Sequence, residues 1–373
     1  MDRVLQIVGA MNRGGIETFL MNLYRNIDRS KIQFDFLVHT DSKGAYDEEI
    51  KELGGRIFPI IPRRDGILNN RKSLEEFFKV HNDYKVVHQH LSSLTYIEPL
   101  KIAKKYGIPY RVVHGHNIRQ GGSSVHRYIH WLNQLFVESY ATDFFACSDL
   151  SAKWTYPKRI YKKNKFIIVN NAIESEKFEF NEKVRKEMRN QFGIAEDVFV
   201  VGHVGRFHPQ KNHDFLIDIF QEIYYKNTNS VLLLVGDGVL RSQLEKKISD
   251  IGLTDNVIFT GVRKDVETIF QVMDAFVFPS LYEGLGIVLV EAQTTGLKCF
   301  TSNKVVPKDV DVTGLVRFLD LNNSPKLWAD EILRNKSYSR VSTNEEIRMS
   351  GYDIYQVAQE IQEWYLKKLM NFK

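Results

Sequence analysis

Two cysteines in 373 residues, Cys147 and Cys299, leave no material for a disulfide framework. Each lies in or beside an apolar run that reads as a buried strand, which fits a reducing compartment and predicts a cytoplasmic protein. No apolar stretch approaches the roughly 20 residues needed to span a bilayer. The first such run, Val4 to Val8, is too short for a signal-peptide core and leads into glycines, so it is expected to be a first β-strand. Neither half opens with Gly-x-Gly-x-x-Gly, which argues against a dinucleotide-dependent dehydrogenase. Disorder is not expected over any long stretch, because the hydrophobic fraction of 43% and charged fraction of 26% are those of a globular protein.

The length exceeds one ordinary core and predicts two domains. The net charge of +5 is unevenly spread: residues 1–173 carry +9 and the remaining 200 carry −4. Either the two halves meet different partners or both are simply solvated surfaces.

In the first half, short apolar runs alternate with amphipathic stretches. Strands are expected at Val4–Val8, Phe34–Val38, Arg56–Ile60, Val86–His90, Arg111–His114, Phe144–Cys147 and Phe166–Val169. Helices are expected at Thr18–Asn26, Leu74–Val80, Ile97–Lys105 and Val125–Ser139. Such alternation specifies a parallel sheet covered on both faces. The pattern breaks around Asn170–Glu196, where the interdomain connection is placed. It restarts at Val198–Gly202 and runs through strands at Val231–Val235, Val257–Thr260, Ala275–Phe278 and Lys298–Thr301, again separated by helices. The expected architecture is α/β, two Rossmann-like doubly wound domains facing a deep cleft, with ligands at the carboxyl ends of the strands. The domains are set at 1–172 and 173–350. Residues 351–373 form a helix with apolar residues at Ile354, Val357, Ile361, Trp364 and Tyr365, expected to pack back on the first domain.

The most informative segment runs from Pro279 through Glu283, Gly284, Leu285, Gly286 and Ile287 to Glu291. A strand ends at Phe278, a loop with two glycines follows, and a helix starts near Gly286. Exposed amides at a helix N-terminus suit a phosphate, and Glu283 and Glu291 can accept hydrogen bonds from sugar hydroxyls beside it. The plainer reading is a structural turn with a capping Glu. Arg206 and Lys211 follow the first strand of the second domain, where two cations can hold a diphosphate, unless they are merely solvated. Gly14-Gly15 sits between the first strand and its helix as a ligand loop or a plain turn, and Glu17 is a ligand or a helix cap. Two His-x-His pairs, His88/His90 and His114/His116, end strands of the first domain, each pair on one face. Zinc binding by these four is not expected, since no carboxylate or cysteine is spaced to complete a set.

Taken together, these motifs resemble the signature of the large family of retaining GT-B glycosyltransferases known as family 4, closest to bacterial exopolysaccharide or capsule enzymes. The likeness spans nearly the whole chain: Gly14-Gly15-Ile16-Glu17, Val204-Gly205-Arg206 with Lys211-Asn212, Leu234 to Gly238, Val257 to Gly261, and the Glu283–Glu291 segment occur in family order. The resemblance implies a metal-independent hexosyltransferase that uses a nucleotide-diphosphate sugar, commonly UDP-linked, and no cofactor. Its acceptor would be a glycan or a lipid-diphosphate-linked sugar. It also implies catalytic roles for His116, Arg206, Lys211 and Glu283, with His114 close behind His116. The donor would be bound by Gly14, Gly15, Glu17, Gly205, Gly236, Val262, Arg263, Gly284, Leu285, Gly286, Ile287 and Glu291, with Glu291 on the ribose and Gly236 and the 261–263 loop at the base. No Asp-x-Asp follows a strand in the manner of metal-dependent transferases; Asp309-Val310-Asp311 matches in letters only.

The run Lys153 to Lys165 is basic with interleaved aromatics, and is expected to rest on an anionic membrane surface rather than on nucleic acid, the bland alternative being a solvated face. The helix bearing His126, Tyr128, Ile129, Trp131 and Leu132 would add apolar contact. Two departures from the family stand out: Leu285 where Phe is common, and Asn303 to Pro307 in place of a glycine-rich loop ending in Glu. Alternatives to a transferase are a catalytically silent partner subunit of the same fold and a nucleotide-sugar epimerase.

Overall fold

A computed structural model describes residues 2–117, 123–283 and 285–371. The chain divides into two compact units, residues up to Ile173 together with those from Asp353, and Glu174–Tyr352. Each is built on one parallel sheet.

In the first unit the strands are β1 (Asp2–Val8), β2 (Ile32–Val38), β3 (Arg56–Pro59), β4 (Val86–Leu91), β5 (Tyr110–Gly115), β6 (Asp143–Ala146) and β7 (Ile167–Ile168). Their order is β3-β2-β1-β4-β5-β6-β7, with every pairing parallel. β2 and β4 are buried along their whole length, the consequence of apolar runs lacking polar alternation. One core lies under the helix Gly15–Asn26, which contributes Phe19, Leu20, Leu23 and Tyr24.

The C-terminal helix Ile354–Met370 belongs to that core. Asp353 caps it by accepting from the backbone amides of Tyr355 and Gln356, and Ile354, Val357, Ile361, Tyr365 and Leu369 are buried. Each large apolar side chain so covered contributes roughly 1.5–3 kcal/mol. The chain leaves the unit at Ile173 and re-enters at Asp353, and those two residues form a parallel bridge, the Ile354 amide donating to the Ile173 carbonyl at 2.9 Å. The helix expected from the apolar spacing at the end of the chain therefore does return to the first unit.

The second unit contains β8 (Phe199–Val204), β9 (Ser230–Val235), β10 (Val257–Gly261), β11 (Ala275–Phe278), β12 (Lys298–Ser302) and β13 (Val316–Leu319). The order is β10-β9-β8-β11-β12-β13, again all parallel. Both sheets thus reverse direction of growth at one point, between β1 and β4 and between β8 and β11. Parallel sheets open a crevice there, outside the carboxyl ends of the two strands. β13 and the helix Pro325–Arg334 are not among the elements expected from the sequence. β13 is a short edge strand, whereas the helix was signalled by Ser324-Pro325: the Ser324 hydroxyl accepts from the Leu327 amide, and proline occupies the first turn.

Candidate functional site

In the second unit, the segments that follow β8 and β11 are laced together across the switch point. The Leu281 amide donates to the Gln210 carbonyl (2.8 Å), the Gln210 side-chain amide to the Tyr282 carbonyl (2.8 Å), and the Asn212 side-chain amide to the Pro279 carbonyl (3.2 Å). Asn212 has φ of 56°, a left-handed conformation that asparagine tolerates, and it starts the helix His213–Lys226. This lacing brings two of the sequence-chosen residues together. Lys211 Nζ lies 2.6 Å from Glu283 Oε1 and 4.5 Å over the Phe278 ring. The pair is mostly covered, with side-chain exposures of 19% and 8%. Arg206 is exposed and makes no ion pair among the described residues. Its charge and that of Lys211 both lower the pKa of His208, after desolvation.

The glycines at the ends of β8, β9 and β10 have specific tasks: Gly205 and Gly236 directly follow β8 and β9, and Gly261 closes β10. The Gly205 amide donates to Val235, the Phe207 amide to Asp237 and the Gly236 amide to Gly261, each at 2.9 Å. Gly236 has φ of 135°, and a Cβ there would collide with the Gly205 carbonyl, so only glycine allows these strand ends to close. Val262 is exposed on the next loop, whereas Arg263 is held by Asp265 through two hydrogen bonds of 2.9 and 2.7 Å.

After β11, Leu285 is buried and Gly286 adopts φ of 82° as the N-cap of the helix Ile287–Thr294. Among the described residues no side chain caps that N-terminus, which leaves its amides open. Gly284 lies outside the described residues. Glu291 makes no hydrogen bond or ion pair among the described residues, and its pKa is pushed up to about 7, by burial and then by the charge of Glu267. Part of its side chain still reaches the surface. The 303–307 departure from the family touches the site directly, since the Glu283 amide donates to the Val305 carbonyl at 3.3 Å.

Beneath this layer lie two buried histidines that sequence reasoning missed. His203 bonds the Val277 carbonyl through Nδ1 (2.8 Å) and stands edge-on to His213, ring centroids 4.6 Å apart. Burial, seconded by neighbouring positive groups, keeps both neutral.

In the first unit, Gly14 is the N-cap of the helix Gly15–Asn26, and Glu17 occupies its third position. A Cβ on Gly14 would strike the Glu17 carboxylate, so that carboxylate folds back over the helix start. Gly15 is exposed, with nothing within 4 Å of where a Cβ would stand. His88 and His90 lie on β4, His114 lies on β5, and His116 follows β5 directly. All four are buried, and five of their six ring pairs have centroids 3.9–5.3 Å apart. Burial lowers every one of them, His116 to about 3, against a smaller upward pull from Asn171.

Nitrogens of His88, His90 and His114 lie within 4.8 Å of one another. Yet His88 is near-parallel to both others, at 20° and 23°, so the in-plane lone pairs run side by side instead of meeting at a point. The ring nitrogens of His90 are both within 2.9 Å of other partners, His116 and Gln6. This geometry suits hydrogen bonding better than coordination.

The basic run requires a correction. Its aromatics do not face outward: Tyr156 is buried and its hydroxyl donates to the Val113 and Phe145 carbonyls, Trp154 stacks on His130 (4.4 Å), and Tyr161 stacks on Phe166 (5.7 Å). Aromatics at that spacing were serving the core. Lys153, Lys158, Arg159, Lys162, Lys163 and Lys165 remain exposed. The apolar surface comes from the helix Ser124–Tyr140, where Val125, Tyr128, Trp131, Leu132, Leu135 and Phe136 are exposed at 38–62%. Ile129 is half-buried there. No helix among the described residues is long and apolar enough to cross a membrane.

Two all-parallel doubly wound units, with cations and carboxylates gathered at a switch point, are the organisation of GT-B glycosyltransferases. The fold matches one such solved structure, that of Anabaena Alr3699/HepE in complex with UDP-glucose, at a TM-score of 0.76 and 18% identity, over 98% of this chain and 100% of that one. Residues 13–177 match the family described as Glycosyltransferase Family 4, and residues 184–345 the one described as Glycosyl transferases group 1. The chain is 34% identical over 366 residues to the putative glycosyltransferase EpsF of Bacillus subtilis strain 168, covering 95% of this chain and 94% of that one. It is 31% identical over 283 residues to the UDP-Gal:alpha-D-GlcNAc-diphosphoundecaprenol alpha-1,3-galactosyltransferase of Escherichia coli, covering 73% and 72%. The chain therefore belongs to the group 1, family 4 glycosyltransferases, and is an enzyme that transfers sugars.

Proposed function

We propose that this enzyme moves a hexose or N-acetylhexosamine from a UDP-sugar to a glycan or lipid-diphosphate-linked acceptor in polysaccharide biosynthesis, with retention of configuration and without a divalent metal. The Lys211–Glu283 pair at the β8/β11 switch point carries the proposal. Lys211 and the unpaired Arg206 grip the donor diphosphate and stabilise it as it leaves, a fixed positive field in place of a metal ion. The open amides of Gly286 and Ile287 add to that field. Glu283, freed from Lys211 when the phosphate arrives, accepts hydrogen bonds from the transferred sugar. Glu291 takes the ribose hydroxyls, which supply the donors it lacks. Gly205, Gly236, Val262 and Arg263 flank the base through backbone groups. From the first unit come the Gly14-Gly15 turn, Glu17 beneath it, and His116, which meets the sugar.

The membrane-facing surface is the exposed stripe of the helix Ser124–Tyr140 together with the cations of 153–165. Apolar residues on one face with lysines alongside fit an anionic lipid surface, where a lipid-linked acceptor would be found.

The test is incubation with radiolabelled nucleotide sugars, with and without lipid extract, in the presence of a chelator. Transfer of label is the expected result. Donor conversion without transfer indicates an epimerase, binding without turnover a silent subunit, and loss of turnover with chelator overturns the metal-free mechanism.

A further inference from the structure

Behind His116 runs a continuous series of buried hydrogen bonds that the functional reading does not use. Tyr365, fully buried on the C-terminal helix, places its hydroxyl 2.6 Å from His88 Nδ1 and 3.2 Å from Gln6 Nε2. Gln6 Oε1 lies 2.9 Å from His90 Nε2, and His90 Nδ1 lies 2.9 Å from His116 Nε2. Gln6 is itself anomalous, a completely buried amide on β1 flanked by Leu5 and Ile7. A buried polar group persists in such a strand only when its bonds are made.

The direction of each bond follows from the chemistry of the atoms. An amide oxygen cannot donate, so His90 carries its proton on Nε2. A neutral imidazole has one proton, so His90 Nδ1 is an acceptor, and His116 must donate to it from Nε2. His116 Nδ1 is then left as a lone pair. Buried as it is, that atom has no hydrogen-bond partner within bonding distance among the described residues. A buried acceptor left open calls for a donor from a ligand.

We propose that Gln6 and His90, anchored by Tyr365, are positioning residues that hold His116 as the Nε2–H tautomer, so that His116 Nδ1 is presented as the acceptor for a hydroxyl of the transferred sugar. The proposal rests on the reading of His116 as the histidine that meets the donor sugar. Gln6 and His90 touch no substrate; they act through the ring of His116.

The test starts with the wild-type chain labelled with 15N at histidine, its His116 signal assigned by loss in His116→Ala. Long-range 15N–1H spectra should show His116 with the proton on Nε2. A proton on Nδ1 overturns the proposal without any variant having to fold. Gln6→Leu keeps the volume and removes both amide bonds. It should mix the His116 tautomers and lower kcat roughly 10- to 100-fold, with KM little changed, on the best used of UDP-glucose, UDP-galactose and UDP-N-acetylglucosamine. Gln6→Glu, which still accepts from His90, should restore the tautomer and most of the rate. A Gln6→Leu protein with unchanged tautomer and rate refutes the relay. Full activity of His116→Ala would instead remove His116 from the site, while the tautomer spectrum still reports on the relay alone.

Discussion

Replacing Lys211 with alanine isolates the charge on which the proposed metal-free mechanism depends. An ammonium about 4 Å from a phosphate oxygen interacts by about 4 kcal/mol at an effective dielectric near 20. Lys211 is about four-fifths covered, so screening by solvent is incomplete. Only the part of that energy that grows as the diphosphate leaves appears in kcat, and removal of one such preorganised group typically costs about 2.7–4 kcal/mol, or 10²- to 10³-fold. Lys211→Ala is therefore expected to lower kcat by that factor while KM for the donor changes much less. The substitution also strands Glu283, a covered carboxylate whose only described ion-pair partner is Lys211. Lys211→Ala should accordingly melt several degrees lower, and Lys211→Ala/Glu283→Gln should recover the melting temperature without the rate. Steady-state kinetics and thermal denaturation of the three proteins separate the two effects. A folded Lys211→Ala enzyme with near-normal kcat would refute the role of the lysine.

Glu291 predicts a pH dependence. The proposed ribose contact needs it as a carboxylate, yet in the free protein its pKa stands at about 7, above the ordinary value, so such binding must expel a proton below that pH. Affinity for UDP-glucose by calorimetry should fall towards tenfold per pH unit below about 7, and Glu291→Gln should bind more weakly at pH 8 and lose the slope; a slope retained in the variant removes Glu291 from the ribose. Gly236→Ala drives a Cβ into the Gly205 carbonyl at a φ only glycine adopts freely, and should lower stability by about 1–3 kcal/mol and weaken UDP binding at least tenfold. Trp131→Glu/Phe136→Glu places charges on the exposed stripe without touching the core, so pelleting with vesicles containing phosphatidylglycerol should be lost while the melting temperature stays within 2–3 °C, roughly the surface-substitution range. Unchanged pelleting would exclude this helix from the lipid contact.

The alternation of apolar runs and amphipathic stretches made both sheets legible, because strands buried on two faces cannot hide their composition. β1, for example, was visible from Val4–Val8 alone, although the strand itself extends over Asp2–Val8. Of the glycines and charged residues chosen at the strand ends, the structure brings Lys211 and Glu283 together, 2.6 Å apart. What could not be read were the groups whose task depends on a third dimension. Gln210 and Asn212 lace two loops some 70 residues apart, and nothing local in either segment records the partner. Gln6 was visible as one polar residue inside an apolar strand, but its partner Tyr365 is 359 residues away. The aromatics at 153–165 misled for the opposite reason: a basic amphiphilic stretch looks the same whether its rings face lipid or core. Only the tertiary position of Tyr156 under β5 and β6 distinguishes them.

The bridge between Ile173 and Asp353 has a consequence for biosynthesis. The first half of the chain emerges from the ribosome with an open core, since Ile354, Ile361 and Tyr365 have yet to be translated. Glu174–Tyr352 meets no such delay and can mature alone while its neighbour waits. A nascent or prematurely terminated polypeptide therefore displays the greasy floor intended for its last helix. Quality-control proteases and chaperones can read that patch as unfinished work, so that translation through to this helix decides whether the product survives.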